Sequence, residues 1–264
     1  MHSPWATRLA WLSALLGLGL ALLLFAPALW VAQALSGASE GRFQLVNTRG
    51  TVWNGQADLL LTGGAGSRTE TALPQGLRWQ LRPAWREGQP AVHLQLSAPC
   101  CTPEPLVFTV LPGLQGAKLR LAAFQSQWPT GLLVGLGTPW NTLRLEGRLG
   151  LQSPGLDVQW QAGRTGVQGA LVIEAIDMAS RLSTLRPLGS YRIDLQAPTG
   201  IDSATVALQT LRGELQLQGN GQWVGGHLRF RGDAQAAPGR EAALANLLNI
   251  IGRRQGERSL LNIG

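Results

Sequence analysis

The chain has 264 residues, 45% of them hydrophobic and 14% charged, which is enough apolar content for a sizeable core and argues against disorder. A net charge of +7 and a pI near 11.1 make the surface basic, suited to anionic lipid, lipopolysaccharide, nucleic acid or an acidic protein. No H-E-x-x-H motif occurs, so metalloprotease chemistry of that kind has nothing to rest on.

From Leu9 to Leu35 no residue is charged, and Trp11 and Trp30 stand nineteen positions apart. On a helix rising 1.5 Å per residue that separation is about 28 Å, one bilayer, with a tryptophan at each interface. The pattern predicts a single transmembrane helix over residues 9–35. Arg8 precedes it, which orients residues 1–8 to the cytoplasm and 36–264 to the far side of the membrane. The rival reading is a cleavable signal peptide, since Ala32-Gln33-Ala34 has the small-x-small form of a cleavage site, but the apolar run exceeds a usual signal core.

Beyond Ser36 the periodicity changes to that of strands, and 34 glycines and 15 prolines cut the chain into short pieces. The stretch "RGTVWNG" sets Trp53 between Gly50 and Gly55 where the first alternating run begins. Related pieces recur at Trp140, Trp160 and Trp223, in "GTPWNTLRLEGRLGL", "VQWQAGRTGVQGALVIE" and "GQWVGGHLRFRGDA". A motif repeated at hairpin ends reads as architecture: glycine permits a bend, and tryptophan covers the gap left by the missing side chain. On that reading Trp53→Ala removes a buried ring, at a cost of roughly 3 to 5 kcal/mol.

Alternating runs follow at "LRWQLR", "VHLQLS", "LVFTV", "AKLRL", "TLRLEGRLGL", "LDVQWQ", "YRIDLQ", "GELQLQG" and "HLRFRG". In "VHLQLS", Val92, Leu94 and Leu96 face one way and His93, Gln95 and Ser97 the other. Alternation this regular means one buried and one wet face, hence antiparallel pairing. The predicted fold is all-β: after the membrane helix, a curved antiparallel β-sheet, partly open barrel or groove-like, with a short C-terminal helix.

Between two of these runs lies "APCCTPE", where Cys100 and Cys101 are each other's only partner within the chain. A vicinal disulfide and a turn with two free thiols are both open readings, and no third or fourth ligand is spaced for a metal. Further on, "DMASRLSTLRPLGSY" offers a helix or an ordered loop with Met178, Leu182 and Leu185 packed into the core before Pro187. "EAALANLLNIIGRR" has Leu244, Leu247, Leu248 and Ile251 on one helical face, an acid at its start and Gly252 at its end. It predicts a helix closing one end of the sheet, followed by a final short segment "SLLNIG".

Little in the sequence points to catalysis. His2 lies before the membrane segment, and His93 and His227 take outward strand positions, where a solvated histidine is the default. Glu146, Glu174, Asp194 and Glu214 stand among basic neighbours and read as cross-strand ion pairs. "GLGTPW" and "GNGQWV" begin like dinucleotide loops but lack the third glycine and the following helix. No cofactor is expected. Basic residues are spread along strands and are arginine throughout, Lys118 excepted, so the expectation is no nucleic acid.

Taken together, the anchor, "RGTVWNG", "GLGTPWNTLRLEGRL", "ASRLSTLRPLGSYRIDL", "GQWVGGHLRFRGDAQA" and "ALANLLNIIGRRQGERSLLNIG" resemble the general secretion pathway protein N (GspN) family over nearly the whole chain. The resemblance implies a non-enzymatic accessory component of the type II secretion system of Gram-negative bacteria. It further implies a single-pass inner-membrane protein with a periplasmic β-domain that contacts the inner-membrane platform or the secretin. It supplies no catalytic residues. The alternative is a lipid-binding or lipid-transport module with a curved β groove. A closed, filled interior would favour the scaffold, and an open apolar trough the lipid module.

Overall fold

A computed structural model describes residues 4–64, 67, 69–113, 116–161, 164–198, 203–224 and 227–264; His2 lies outside these residues. The chain starts with two helices, α1 (Pro4–Leu24) and α2 (Leu29–Ala38). This corrects the expectation of one helix over residues 9–35. The break falls at Phe25–Ala28, around Pro27, which lacks the N–H that would continue the helix. The freed backbone is used elsewhere: Val52 N–H donates to the Ala26 carbonyl at 2.8 Å, and Ala28 N–H to the Gly50 carbonyl at 3.2 Å. The second half of the expected span therefore lies on the protein, with Ala28 and Ala32 buried. Among the described residues no helix is long and apolar enough to cross a membrane, which says nothing of crossing by strands.

The rest is one antiparallel sheet. Its first part comprises β1 (Phe43–Gly50), β2 (Asn54–Thr62), β3 (Glu70–Ala72), β4 (Leu77–Arg86), β5 (Gln89–Ser97), β6 (Leu106–Gly113), β7 (Gly116–Leu121) and β8 (Phe124–Pro129). A 3-10 helix (Thr130–Leu136) and the short α3 (Trp140–Leu143) lead to two long strands, β9 (Glu146–Gln161) and β10 (Arg164–Ala179). Then come β11 (Gly189–Ala197), β12 (Ser203–Gly213), β13 (Leu215–Val224), β14 (His227–Ala236), α4 (Glu241–Ile251), β15 (Arg253–Gln255) and β16 (Arg258–Ile263). Strand order follows the chain from β1 at one edge to β16 and β15 at the other, with β3 beside β2 and β8 beside β9. The two edges do not pair, so the sheet is open.

Alternation gives the sheet two unlike faces. Leu81, Leu94, Phe108, Leu121 and Leu156 stand directly opposite one another in successive ladders. One residue along, Arg82, His93, Thr109, Arg120, Asp157 and Gln168 form the matching row on the other face. The same division continues in the second half, where Leu171, Leu195, Val206, Gly221 and Phe230 share the apolar side.

Cover over the apolar face is confined to one end of the strands, called here the base. α2 lies on β1, the 3-10 helix against β2, β3 and β9, and α4 against β14, β15 and β16. Beneath the first two sits a core of Leu45, Leu61, Leu77, Trp79, Cys101 and Leu132; beneath α4 sits a second, with Met178, Leu188, Tyr191 and Leu215. The expected C-terminal helix is present, with Leu244, Leu247 and Leu248 buried as its periodicity requires. "DMASRLSTLRPLGSY" is the end of β10 and a loop rather than a helix, though Met178, Leu182 and Leu185 do pack on the second core. "TLRLEGRLGL" and "LDVQWQ" are parts of one strand, β9, which begins only at Glu146.

Candidate interaction surface

The motif "RGTVWNG" is the joint between the helices and the sheet. Gly50 takes φ +91°, a conformation that disfavours any side chain, and an added Cβ would collide with the Asn54 carbonyl. The hairpin closes through Thr51 N–H donating to the Asn54 carbonyl at 2.9 Å, and Asn54 N–H donating to Thr51 Oγ1 at 3.2 Å. Trp53 is half-buried, and its carbonyl accepts from Leu81 N–H at 2.7 Å. The ring that covers the glycine is a different one. Trp79 lies directly opposite Gly55, so close that a Cβ there would enter the indole, and Trp79 Nε1 donates to the Val52 carbonyl at 3.0 Å.

The same device recurs across the sheet with another aromatic. Phe230 faces Gly221 in the ladder, and its ring also fills the space that side chains at Gly219 and Gly232 would need. Among the described glycines none has the ring of Trp140, Trp160 or Trp223 as its nearest neighbour. Trp140 opens α3 and is not in a hairpin. Trp160 and Trp223 do stand at hairpin ends, beside the β9/β10 and β13/β14 turns, but they are 44% and 47% exposed. Trp85, at the β4/β5 turn and not singled out from sequence, is 69% exposed. Its signal was legible: it follows Trp79, Leu81 and Pro83 at two-residue intervals, hence on the apolar face, and only Arg86 separates it from the tight turn at Glu87 and Gly88.

These hairpin ends, opposite the base, are the tips of the sheet. There the next apolar row, Pro83, Val92, Val110, Leu119, Val158 and Val167, is half-buried to exposed, and among the described residues no helix packs extensively on those strand ends. The opposite face is a network of charge. Arg120 donates to Asp157 at 3.2 Å and meets Glu87 at 3.1 Å, and the Asp157 hydrogen bond and charge hold its guanidinium pKa above the ordinary value. The four carboxylates noted in the sequence are each paired: Glu146 with Arg186, Glu174 and Asp194 with Arg192, and Glu214 with Arg240. His93 joins this surface network, with Nδ1 3.2 Å from Thr109 Oγ1 and Nε2 accepting from Arg86 at 3.4 Å; His227 is exposed.

Cys100 and Cys101 are joined by a disulfide with an S–S distance of 2.09 Å. The turn is held by Cys101 and Thr102 N–H groups, both donating to the Ala98 carbonyl at 2.8 Å, and Cys101 is buried in the first core. The pair is thus part of the base packing. Among the described residues no three His, Cys, Asp or Glu side chains gather where a metal could bind. One shallow concavity of 450 Å³, lined by Gln209, Arg212, Gln216, Gln218, Asp233 and Gln235, lies on the polar side of the sheet.

Among the described residues this arrangement offers two unlike surfaces: a polar, ion-paired face, and an apolar face roofed at the base and bare at the tips. No curated protein and no solved structure matches the chain. A family model, "Type II secretion system (T2SS), protein N", matches residues 41–260, from just before β1 to within β16. The chain belongs to the type II secretion system protein N family.

Proposed function

We propose that the protein is a non-enzymatic accessory component of the type II secretion system, held at the inner membrane and linking the inner-membrane platform to the secretin. The family match carries this reading. Three features support it. The helix α1 and the break after it leave Trp11, Leu12, Leu16, Leu20 and Phe25 exposed, a surface suited to bilayer contact. The basic, ion-paired outer face suits protein partners met through complementary charge. The open edges at β1 and β15 leave room for a partner strand to extend the sheet. On this reading the β-domain stands in the periplasm.

The test is affinity capture of the full chain from native membranes in mild detergent. Platform or secretin subunits are the expected co-purifying proteins. Repeated recovery of neither, with the bait intact, contradicts the linking role.

A further inference from the structure

We infer that the bare tip half of the apolar face holds acyl chains of membrane phospholipid, with the hairpin-tip tryptophans at the headgroup level. The six strands from β4 to β10 that carry the two apolar rows span about 24 Å at 4.8 Å per strand. From Leu156 to Trp160 the face runs about 13 Å further at 3.3 Å per residue. That footprint, on the order of 300 Å², is the size of the largest apolar patch a typical monomer exposes, and such patches are often functional.

Four observations select a lipid as the occupant. Trp85, Trp160 and Trp223 come from three separate hairpins yet share one face and one end of the sheet, exposed. Rings with an apolar body and one N–H donor settle at a headgroup boundary. Secondly, the β1/β2 hairpin turns at the level of Leu81, on the tip side, and α1 meets the domain there with Phe25, Leu29 and Trp30 exposed. The linker after α1 therefore joins the sheet at a hairpin that turns in the same direction as the tips.

The third observation is charge. Among the described residues Arg86 and Arg229 are exposed toward the tips, whereas the acids at that level, Glu87 and Asp157, are both bonded to Arg120. Anionic headgroups fit that balance. Fourthly, the 13 Å depth matches about half of a ~30 Å hydrocarbon core, one leaflet. Protein interfaces carry about one hydrogen bond per 100–200 Å². The rows of Leu, Val, Phe and Pro have no side-chain donor or acceptor to give, and acyl chains require none. The inference draws on the proposed inner-membrane placement only for the source of lipid and is independent of the secretion role.

The test uses the full chain reconstituted into vesicles of phosphatidylethanolamine and phosphatidylglycerol, with photoreactive benzoylphenylalanine at single positions. Phe108 and Leu156 probe the deeper apolar row, Trp160 and Trp223 the tips, and Thr109 and Gln159 the polar face. Irradiation should add the mass of one phospholipid at Phe108, Leu156 and the tips, and none at Thr109 or Gln159. A second variant, Val158→Asp, should abolish the Phe108 adduct while the chain stays folded by circular dichroism. Adducts confined to Trp160 and Trp223 mean that the tips only touch the membrane, which overturns the inference. Absence of lipid adducts at Phe108 and Leu156, or adducts there to protein alone, overturns it as well. Failed capture of secretion subunits would leave these outcomes unchanged, so the two readings fail separately.

Discussion

The base and the tips of this sheet are made of the same strands and differ in what covers them. At the base, α2, α4 and the 3-10 helix lie over the apolar face, and Leu244 and Leu248 are 0% exposed. At the tips the same alternation continues, but Val158, Leu119 and Val110 are only half-buried and the tryptophans stand in solvent. Strand pattern therefore fixes which side a residue faces, whereas burial is decided by separate elements far away in sequence. The stabilising apolar contacts collect at the base, and the surface available to partners is left at the tips.

The largest effect that sharpens this contrast is expected at Trp79. Truncation to alanine removes the indole over Gly55 and its hydrogen bond to Val52, and should cost about 4 kcal/mol in chemical denaturation. Leu244→Ala should cost about 3 kcal/mol by emptying the space beneath α4. Costs below ~1 kcal/mol for both would mean that the base is not the stabilising core.

Tyr191 gives a pH-dependent test of the same region. Its hydroxyl donates to the Leu215 carbonyl at 3.0 Å, and burial pushes its pKa well above the ordinary tyrosine value of 10.0. Above about pH 10 the unfolded chain loses the phenolic proton while the folded one keeps it. Stability should therefore be complete below that pH and fall as pH rises through the gap, by ~1.4 kcal/mol per unit. Tyr191→Phe should remove this part of the slope; an unchanged slope would place the hydroxyl in water. The smallest effect is expected at the tips, where Trp160→Ala and Trp223→Ala should each shift stability by less than about 0.5 kcal/mol while weakening association with anionic vesicles. A large loss of stability there would erase the contrast.

Much of the sheet was legible because alternation is a local signal. "VHLQLS" and "AKLRL" needed only period two, and α4 only the spacing of Leu244, Leu247 and Leu248. The glycine-aromatic pairing was anticipated in kind and missed in identity. Trp53 and Trp160 are near glycines in the chain, whereas Trp79 reaches Gly55, and Phe230 reaches Gly219 and Gly221, across a ladder, and ladder register is not written in one strand. The helix break at Phe25–Ala28 was missed for a similar reason. An apolar run reads as one span until the hairpin at Gly50–Val52 takes up the backbone groups of Ala26 and Ala28.

Thiol labelling of single cysteines on the apolar face tests this account most directly, since the two native cysteines are already bonded to each other. Val158→Cys and Leu119→Cys represent the tips, Leu215→Cys and Leu45→Cys the base. With lipid removed, the tip cysteines should react quickly with a maleimide and the base cysteines should stay protected, and adding phosphatidylethanolamine and phosphatidylglycerol vesicles should slow the tips alone. Equal protection at all four positions in the absence of lipid would contradict the account, because it would mean that the apolar face is covered along its whole length.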